Sequence, residues 1–352
     1  MRNSGQGTVL VTGGAGFLGS HLCDRLVERG QRVVCLDNLA TGRTENVRHL
    51  LDHPRFSLFL ADVTDTWEID EPLTAVFHLA SAASPPDYQR LPVETLEAGS
   101  LGTRNALRCA KEHGARLVLV STSEVYGDPR EHPQRETYWG NVNPVGPRSV
   151  YDEAKRYAEA LVMAHHRERL VDVGIARVFN TYGPRMRPDD GRMIPNFITQ
   201  ALSGRPLTVT GNGQQTRSVC YVADTVEGLL MLGDNEAPGP INIGSQEEVC
   251  VLTLAHFVRD FSGSRSEIEF IERPEDDPHY RKPDITKARA ELGWSPHVRL
   301  EEGMRRTLAF FMERQTALTT GPGDDRPNPS RKETQDGVAH RAAQGLGRGD
   351  HA

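Results

Sequence analysis

A glycine-rich turn between two periodic segments near the start of the chain limits the fold more than any other feature. Residues 8–12 form a β-branched apolar run, and residues 20–29 have the spacing of an amphipathic helix. Between them, Gly13 permits a tight turn, Gly16 lets the backbone approach a pyrophosphate, and Gly19 allows close helix packing. The order strand, turn, helix predicts a dinucleotide site at the edge of a parallel sheet.

A second strand-like run brings an acidic residue to the same site. Residues 32–36 are mostly apolar, and Asp37 follows them about 20 residues after the glycines. An acid at this place accepts hydrogen bonds from an adenosine ribose and repels a 2′-phosphate, so the sequence predicts NAD in preference to NADP. Asp62 and Ser81 follow two later strand-like runs and extend the same ligand-binding edge.

A tyrosine and a lysine farther along the chain indicate hydride chemistry. Tyr151 and Lys155 are four residues apart in the helical stretch 150–170, so they share one helix face. The ammonium group is expected to lower the pKa of the phenol, so that Tyr151 removes a proton from a substrate hydroxyl. Such a pair also occurs on helices without catalytic function, and it gains meaning here because a nucleotide site precedes it.

The composition is typical of a water-soluble enzyme. The 352 residues carry a formal net charge of -7 that is spread along the chain, which argues against a nucleic-acid partner. The five cysteines show neither a metal-ligand spacing nor a paired framework, so no metal site is predicted. Because no run approaches the ~18 apolar residues of a membrane span, we expect a cytoplasmic protein without membrane contact.

The alternation of strand-like and helical stretches predicts an α/β fold with a doubly wound parallel sheet of the Rossmann type. Residues 1–180 are expected to form the NAD-binding domain that carries the Tyr/Lys pair. Frequent glycine and proline in residues 181–318 predict a smaller, mainly substrate-binding C-terminal region. Residues 319–352 are polar and aperiodic, which predicts a disordered tail.

Several motifs together resemble the extended short-chain dehydrogenase/reductase family, whose members modify nucleotide sugars. The motifs are the glycine loop, Asp37-Asn38, Thr41-Gly42-Arg43, His78-Leu79-Ala80-Ser81, Tyr151-x-x-x-Lys155 and the run 177–184. Four segments, 83–88, 121–129, 180–186 and 273–285, resemble the UDP-glucuronate decarboxylase (UDP-xylose synthase) branch of that family. The similarity extends over residues 9–311.

This resemblance implies three sets of site residues. The implied NAD-binding residues are Gly13, Gly16, Phe17, Leu18, Gly19, Asp37, Asn38, Thr41, Gly42, Asp62, Val63, Leu79, Ser81, Tyr151 and Lys155. The implied substrate-binding residues are Tyr88, Thr122, Asn180, Arg185, Arg217, Tyr221, Arg273 and Arg281. The implied catalytic residues are Tyr151, Lys155, Thr122, Glu124 and Arg281.

The implied reaction is the conversion of UDP-glucuronate to UDP-xylose and carbon dioxide. Tyr151 would take the proton of the sugar 4-hydroxyl during oxidation at C4, and the 4-ketone would let the carboxylate leave. Hydride return to C4 would regenerate NAD. Glu124 matches a carboxylate that serves proton steps around C5, and Arg281 a guanidinium that grips the substrate carboxylate. The family also implies a homodimer formed through residues 96–110 and 150–164.

Other reactions remain as alternatives. A 4,6-dehydratase needs an acid where Ser123 stands, and a 4-epimerase has no use for a carboxylate-gripping Arg281, so both are less favoured. A noncatalytic NAD-binding sensor would lose the catalytic residues, and these are present. The motifs do not distinguish a uridine from a thymidine nucleotide.

Two positions depart from the family pattern. Gly99 stands where the family commonly has an asparagine that helps to order the cofactor region. Glu97 stands where a lysine or a neutral residue is expected near the substrate. We predict reduced affinity more readily than a changed reaction, with tighter NAD binding in a Gly99→Asn variant.

Overall fold

The structure is a computed structural model that describes residues 7–272 and 280–320. The strands are β1 Thr8–Thr12, β2 Arg32–Asp37, β3 Phe56–Leu60, β4 Leu73–His78, β5 Arg116–Thr122, β6 Val173–Val178, β7 Thr181–Tyr182, β8 Leu207–Thr210, β9 Thr216–Ser218, β10 Cys220–Tyr221, β11 Ile241–Ile243, β12 Glu248–Cys250 and β13 Ile268–Ile271. The α-helices are α1 Phe17–Glu28, α2 Pro85–Arg90, α3 Pro92–Glu97, α4 Thr103–His113, α5 Ser149–Arg167, α6 Met193–Leu202, α7 Val222–Asp234, α8 Val251–Phe261 and α9 Leu300–Thr320. Most of the predicted tail, from residue 321, lies outside the described residues.

Seven parallel strands form the central sheet in the order β11-β6-β5-β4-β1-β2-β3. The first strand, β1, lies inside the sheet, and β2 and β3 follow it toward one edge. The chain then crosses back and places β4 on the other side of β1. This reversal opens a crevice at the carboxyl ends of β1 and β4, where ligands bind in such sheets. The predicted doubly wound parallel sheet is confirmed.

Side chains of β1 point alternately into two cores, one on each face of the sheet. Val9 and Val11 belong to the core that contains Leu22 of α1, whereas Leu10 belongs to the core that contains Leu107 of α4. This alternation follows from the two-residue period of a strand. Because helices cover both faces, the central strands consist of nearly continuous apolar residues.

The chain after β7 contributes both to the central sheet and to smaller elements beside it. β11 pairs with β6 at the edge of the sheet, and α7 packs against α1. Three two-stranded sheets, β7 with β10, β9 with β12 and β8 with β13, lie outside the central sheet. The described residues as far as 314 form one compact unit, and residues 315–320 complete α9. The division near residue 180 stays a prediction.

Helices α3 and α4 are joined without a break by a π-helical turn, Ala98–Gly102. π-helical turns are rare in proteins overall, and those that occur often lie at functional sites. Gly99 lies in this turn, where an added Cβ would stand 2.7 Å from Cβ and 2.8 Å from O of Ala154 in α5. The absence of a side chain at Gly99 therefore lets the turn approach α5 one residue before Lys155. Over residues 7–272 and 280–320, none of the helices has the length and apolar character needed to cross a bilayer.

Candidate active site

A cavity of about 940 Å³ opens at the carboxyl ends of the central strands. The residues predicted from the sequence that line it are Gly13, Gly16, Phe17, Leu18, Gly19, Asp37, Asn38, Thr41, Gly42, Asp62, Val63, Leu79, Ser81, Tyr88, Thr122, Glu124, Tyr151, Lys155, Asn180, Arg185, Arg217 and Arg281. The fold thus collects side chains from both halves of the chain around one space. Its volume is in the range of sites that bind cofactors and small molecules.

The glycine loop after β1 can be formed only by residues without a side chain at its closest approaches. Gly13 has a φ of +71°, and an added Cβ would lie 2.8 Å from the backbone N of Ala80. At Gly19 an added Cβ would lie 2.2 Å from the carbonyl O of Gly13. Asp37, at the end of β2, accepts hydrogen bonds from the N–H groups of Ala15 at 2.9 Å and Leu39 at 2.8 Å. The acid and the glycine loop are therefore one bonded unit.

This half of the cavity has the chemistry that a dinucleotide requires. Gly16 is the N-cap of α1 and provides no side-chain hydrogen bond to the first turn of the helix, so a phosphate can take that place. Ser81 Oγ is buried in the cavity wall and has no hydrogen-bond partner among the described residues. Asp37 retains a free lone pair on each carboxylate oxygen for a ribose hydroxyl. NAD therefore fits the residues at this edge of the sheet.

Tyr151 and Lys155 lie on the first turns of α5 and are both buried. Burial raises the pKa of Tyr151, and a hydrogen bond with Thr122 acts in the opposite direction. Burial lowers the pKa of Lys155 to about 8, against the effect of Glu159, and Lys155 Nζ donates to the carbonyl O of Val120 at 3.0 Å. The expected lowering of the Tyr151 pKa is thus not seen in this structure, because desolvation of the phenolate outweighs the favourable contacts.

Glu124 lies between two guanidinium groups in the short 3-10 turn after β5. Its Oε2 accepts a hydrogen bond from Arg148 Nη2 at 2.5 Å and another from Arg281 Nη2 at 3.0 Å. Burial by itself would raise the pKa of Glu124, but these two cations outweigh it and hold the pKa at about 2. Arg281 is only 1% exposed and also donates to the carbonyl O of Ser123 at 2.6 Å. It is therefore part of the cavity wall and not of a solvated turn.

Three polar residues predicted to bind the nucleotide, Asn180, Arg185 and Arg217, also line the cavity. Arg185 has a φ of +68°, a strained conformation for a residue with a side chain. Its Nη2 pairs with Asp24 at 2.7 Å, and its Nη1 is buried without a hydrogen-bond partner among the described residues. An anionic ligand would satisfy this nitrogen. Arg217 Nη1 donates to the carbonyl O of Thr216 at 2.9 Å.

One predicted substrate contact, Tyr221, is not found in the cavity wall. Tyr221 is not among the lining residues, because its ring packs edge-on against Tyr182 with centroids 5.7 Å apart and is covered by Arg306. A contact between Tyr221 and the substrate stays a prediction, and this arrangement of the ring does not support it. Arg273 lies outside the described residues.

Sequence reasoning missed several charged residues of the site. Arg148, Arg187 and Arg192 line the cavity, and each is held by a carboxylate: Arg187 by Asp87 at 2.7 Å and Arg192 Nη2 by Asp190 at 2.9 Å. Asp152, next to Tyr151, is buried, and burial together with Glu124 raises its pKa to about 7. Arg148 and Arg187 carry no local signal, because their partners lie 24 and 100 residues away. Arg192 pairs with Asp190 only two residues away, but a short pair of this kind does not distinguish a site residue from a surface one.

The two departures from the family pattern have different surroundings. Glu97 is exposed and lines the cavity, and it forms no ion pair with any of the described residues. Gly99 is buried against α5 and leaves no room for a larger side chain. The structure therefore gives Gly99 a packing role that the sequence did not suggest.

Comparison with known proteins gives a consistent result. Residues 9–244 match the NAD-dependent epimerase/dehydratase family. UDP-glucuronic acid decarboxylase 1 of Arabidopsis thaliana is 52% identical over 317 residues, which are 90% of this chain and 72% of that protein. The protein of the same name from Xenopus tropicalis is 47% identical over 323 residues, 92% of this chain and 76% of that protein.

A solved structure resembles the fold and contains ligands. It is UDP-glucuronic acid 4-epimerase from Bacillus cereus, in complex with UDP-glucuronic acid and NAD. The two structures agree with a TM-score of 0.76 at 28% sequence identity, covering 87% of this chain and 99% of the epimerase.

Proposed function

This chain belongs to the NAD-dependent epimerase/dehydratase family, and we propose that it converts UDP-glucuronate to UDP-xylose and carbon dioxide. The observation that carries the proposal is the buried pair of Arg281 and Glu124 beside Thr122 and Tyr151. The guanidinium of Arg281, which can bind a carboxylate, thus lies near the phenol of Tyr151, which can exchange a proton with a hydroxyl. Its relatives of about 50% identity are named for this decarboxylation.

Proton transfer at the sugar 4-hydroxyl is assigned to Tyr151. Thr122, hydrogen-bonded to Tyr151, orients the same hydroxyl, and the cationic Lys155 lies one helical turn away. When bound, NAD supplies hydride transfer to and from C4. Because oxidation and reduction take place at the same carbon, the reaction consumes no cofactor.

Binding of the substrate carboxylate is assigned to Arg281. Its guanidinium is nearly free of solvent, where a bidentate ion pair with a carboxylate is strong. Oxidation at C4 makes this carboxylate a β-keto acid, which loses carbon dioxide because the ketone accepts the electron pair. Glu124, ionised over the whole neutral range, serves the proton transfers near C5 through water.

The test is to incubate the purified protein with UDP-glucuronate, first without and then with added NAD, and to follow the nucleotide by mass spectrometry and proton NMR. A product lighter by one carbon dioxide, with a reduced C4, is expected. A Tyr151→Phe variant is the control, since it keeps the ring and loses the hydroxyl. Conversion to a C4 epimer of the same mass would show that the protein is a 4-epimerase and not a decarboxylase. No conversion in either condition would refute the proposal.

We also infer that the protein forms a homodimer through α3 and α5. These helices pack against each other, and they expose apolar side chains: Val93 is 60%, Leu96 40% and Tyr157 52% exposed. A second copy of the same surface would bury them, as isologous dimers do. A Leu96→Asp/Tyr157→Asp variant should sediment as a monomer, while Leu51→Asp, at a leucine of similar exposure in a turn outside these helices, should leave the dimer intact. A wild-type protein that sediments as a monomer would refute the inference.

A further inference from the structure

Glu124 shares one carboxylate oxygen between two arginines that come from different parts of the fold. Arg281 belongs to the segment that follows β13 in the chain, whereas Arg148 directly precedes α5. Arg281 is also fixed by its bond to the carbonyl O of Ser123. Arg148 is 18% exposed and lines the cavity, and within the described residues Glu124 is the carboxylate with which it forms an ion pair. Its charge is therefore directed at Glu124.

We propose that Arg148 is a positioning residue that keeps Glu124 ionised and in place while Arg281 is engaged by the carboxylate of the sugar nucleotide. The inference rests on the proposed decarboxylation. It extends that function by naming a residue that does not touch the substrate carboxylate and acts through Glu124.

Engagement of Arg281 by a substrate carboxylate makes this second cation necessary. One terminal nitrogen of Arg281 is bonded to Ser123 and the other to Glu124. A guanidinium has five N–H donors, so a substrate carboxylate can take two of those that Ser123 and Glu124 leave. Glu124 would then lie beside a second carboxylate and share the charge of Arg281 with it, which favours protonation of Glu124. Arg148 removes this penalty, because its bond to Glu124 does not depend on Arg281.

Other charged groups around Glu124 do not replace Arg148. Arg217, from β9, adds a favourable charge but is weaker than Arg281 and Arg148 in its effect on the pKa of Glu124. Asp152, from the first turn of α5, adds a like charge when ionised. Tyr151 is neutral at rest, since its pKa is raised. Of the neighbours in the described residues, Arg148 and Arg281 are the two cations hydrogen-bonded to Glu124.

The test compares Arg148→Gln and Arg148→Lys with Arg156→Gln. Arg156 is a matched control, because it binds the carbonyl O of Val125 in the same 3-10 turn at 3.0 Å and does not bond Glu124. For Arg148→Gln, kcat should fall about 10- to 100-fold while KM for UDP-glucuronate changes less than about threefold, because Arg281 is intact. An acid limb in kcat should also appear between about pH 5 and 7, where the wild type has none from Glu124.

Arg148→Lys should remove most of this acid limb, and Arg156→Gln should not create one. The pH profiles of kcat are also measured for each variant in combination with Asp152→Asn, since the raised pKa of Asp152 lies in the same range. A fall in kcat without a new acid limb, or equal effects of Arg148→Gln and Arg156→Gln, would show that Arg148 is merely structural and would overturn the proposal.

A second measurement does not depend on turnover. Infrared difference spectra against Glu124→Gln report the protonation of Glu124 in the intact protein, with and without UDP-glucuronate. With UDP-glucuronate bound, the pKa of Glu124 should lie between about 5 and 7 in Arg148→Gln and stay low in Arg156→Gln. An unchanged pKa in Arg148→Gln would overturn the role of Arg148. If the wild type gives no UDP-xylose, the proposed function fails by itself, and the infrared result still decides whether Arg148 holds Glu124 ionised.

Discussion

The rings of Tyr88 and Tyr151 are stacked, with centroids 5.4 Å apart and planes inclined by 5°. Tyr88 is 1% exposed, so it fixes one face of the Tyr151 ring inside the cavity wall. The two residues come from α2 and α5, which are far apart in the sequence. The orientation of the proposed proton acceptor is thus set by a contact that leaves its hydroxyl free to meet Thr122.

Tyr88→Phe should therefore retain kcat within about threefold, and Tyr88→Ala should lower it at least about tenfold, because only the phenylalanine preserves the stack. The alanine variant should also lose about 3–5 kcal/mol of unfolding free energy through the cavity it leaves. Initial rates and urea unfolding measure the two effects. Equal rates for the two variants would mean that the stack does not orient Tyr151.

Replacing Arg281 should weaken recognition of the carboxylate and leave recognition of the nucleotide unchanged. In Arg281→Gln, KM for UDP-glucuronate should rise at least about tenfold, since a charged hydrogen-bond pair is lost, while the Kd for UDP stays within about threefold. Steady-state kinetics and calorimetry with UDP measure these quantities. Lys282→Gln is the control, because the neighbouring Lys282 pairs with Glu248 at 3.0 Å. A parallel loss of UDP binding would indicate a folding defect instead.

Gly99→Asn should destabilise the protein and weaken NAD binding, which reverses the expectation drawn from the sequence. An added Cβ meets Ala154 at 2.7 Å, so the π turn and α5 must separate, and Lys155 must move with α5. The loss of unfolding free energy should be about 1–3 kcal/mol, as for other overpacked sites. Thermal unfolding and NAD titration test this, with Ser100→Asn as the control on the same turn. Tighter NAD binding in Gly99→Asn would restore the original expectation.

Asp152→Asn should stabilise the protein more at high pH than at low pH. The folded pKa of Asp152 is raised to about 7, so the folded state holds a proton that the unfolded state has lost. The free energy of unfolding of the wild type therefore falls as pH rises toward 7, by up to about 4 kcal/mol, and the penalty is complete above that pH. Asparagine cannot titrate and escapes this penalty.

The measurement is the difference in Tm between Asp152→Asn and the wild type at about pH 5 and about pH 8.5. Ser149→Ala, in the first turn of the same helix, is the control, since it removes no titratable group and its difference in Tm should not depend on pH. A difference in Tm that stays constant across the range would mean that Asp152 is already ionised in the folded protein.

The fold and the cofactor edge could be predicted from local sequence because both depend on short-range geometry. A β-branched run, a glycine turn and an amphipathic helix define one unit by spacing alone, and Asp37 follows at a fixed distance. The spacing of Tyr151 and Lys155 on α5 is equally local. These predictions needed no knowledge of which distant residues come together.

The electrostatics of the site were decided by the tertiary structure. Arg281 was assigned to a carboxylate by resemblance, but its contact with Glu124, 157 positions away, arises only when the segment after β13 returns to the end of β5. Arg148 and the stack of Tyr88 on Tyr151 gave no sequence signal for the same reason. Burial, which raises the pKa of Tyr151 and lowers that of Lys155, also depends on the whole fold. Local spacing fixes which side chains face one edge of the sheet, whereas their charge states follow from desolvation and long-range pairing, which a linear pattern does not contain.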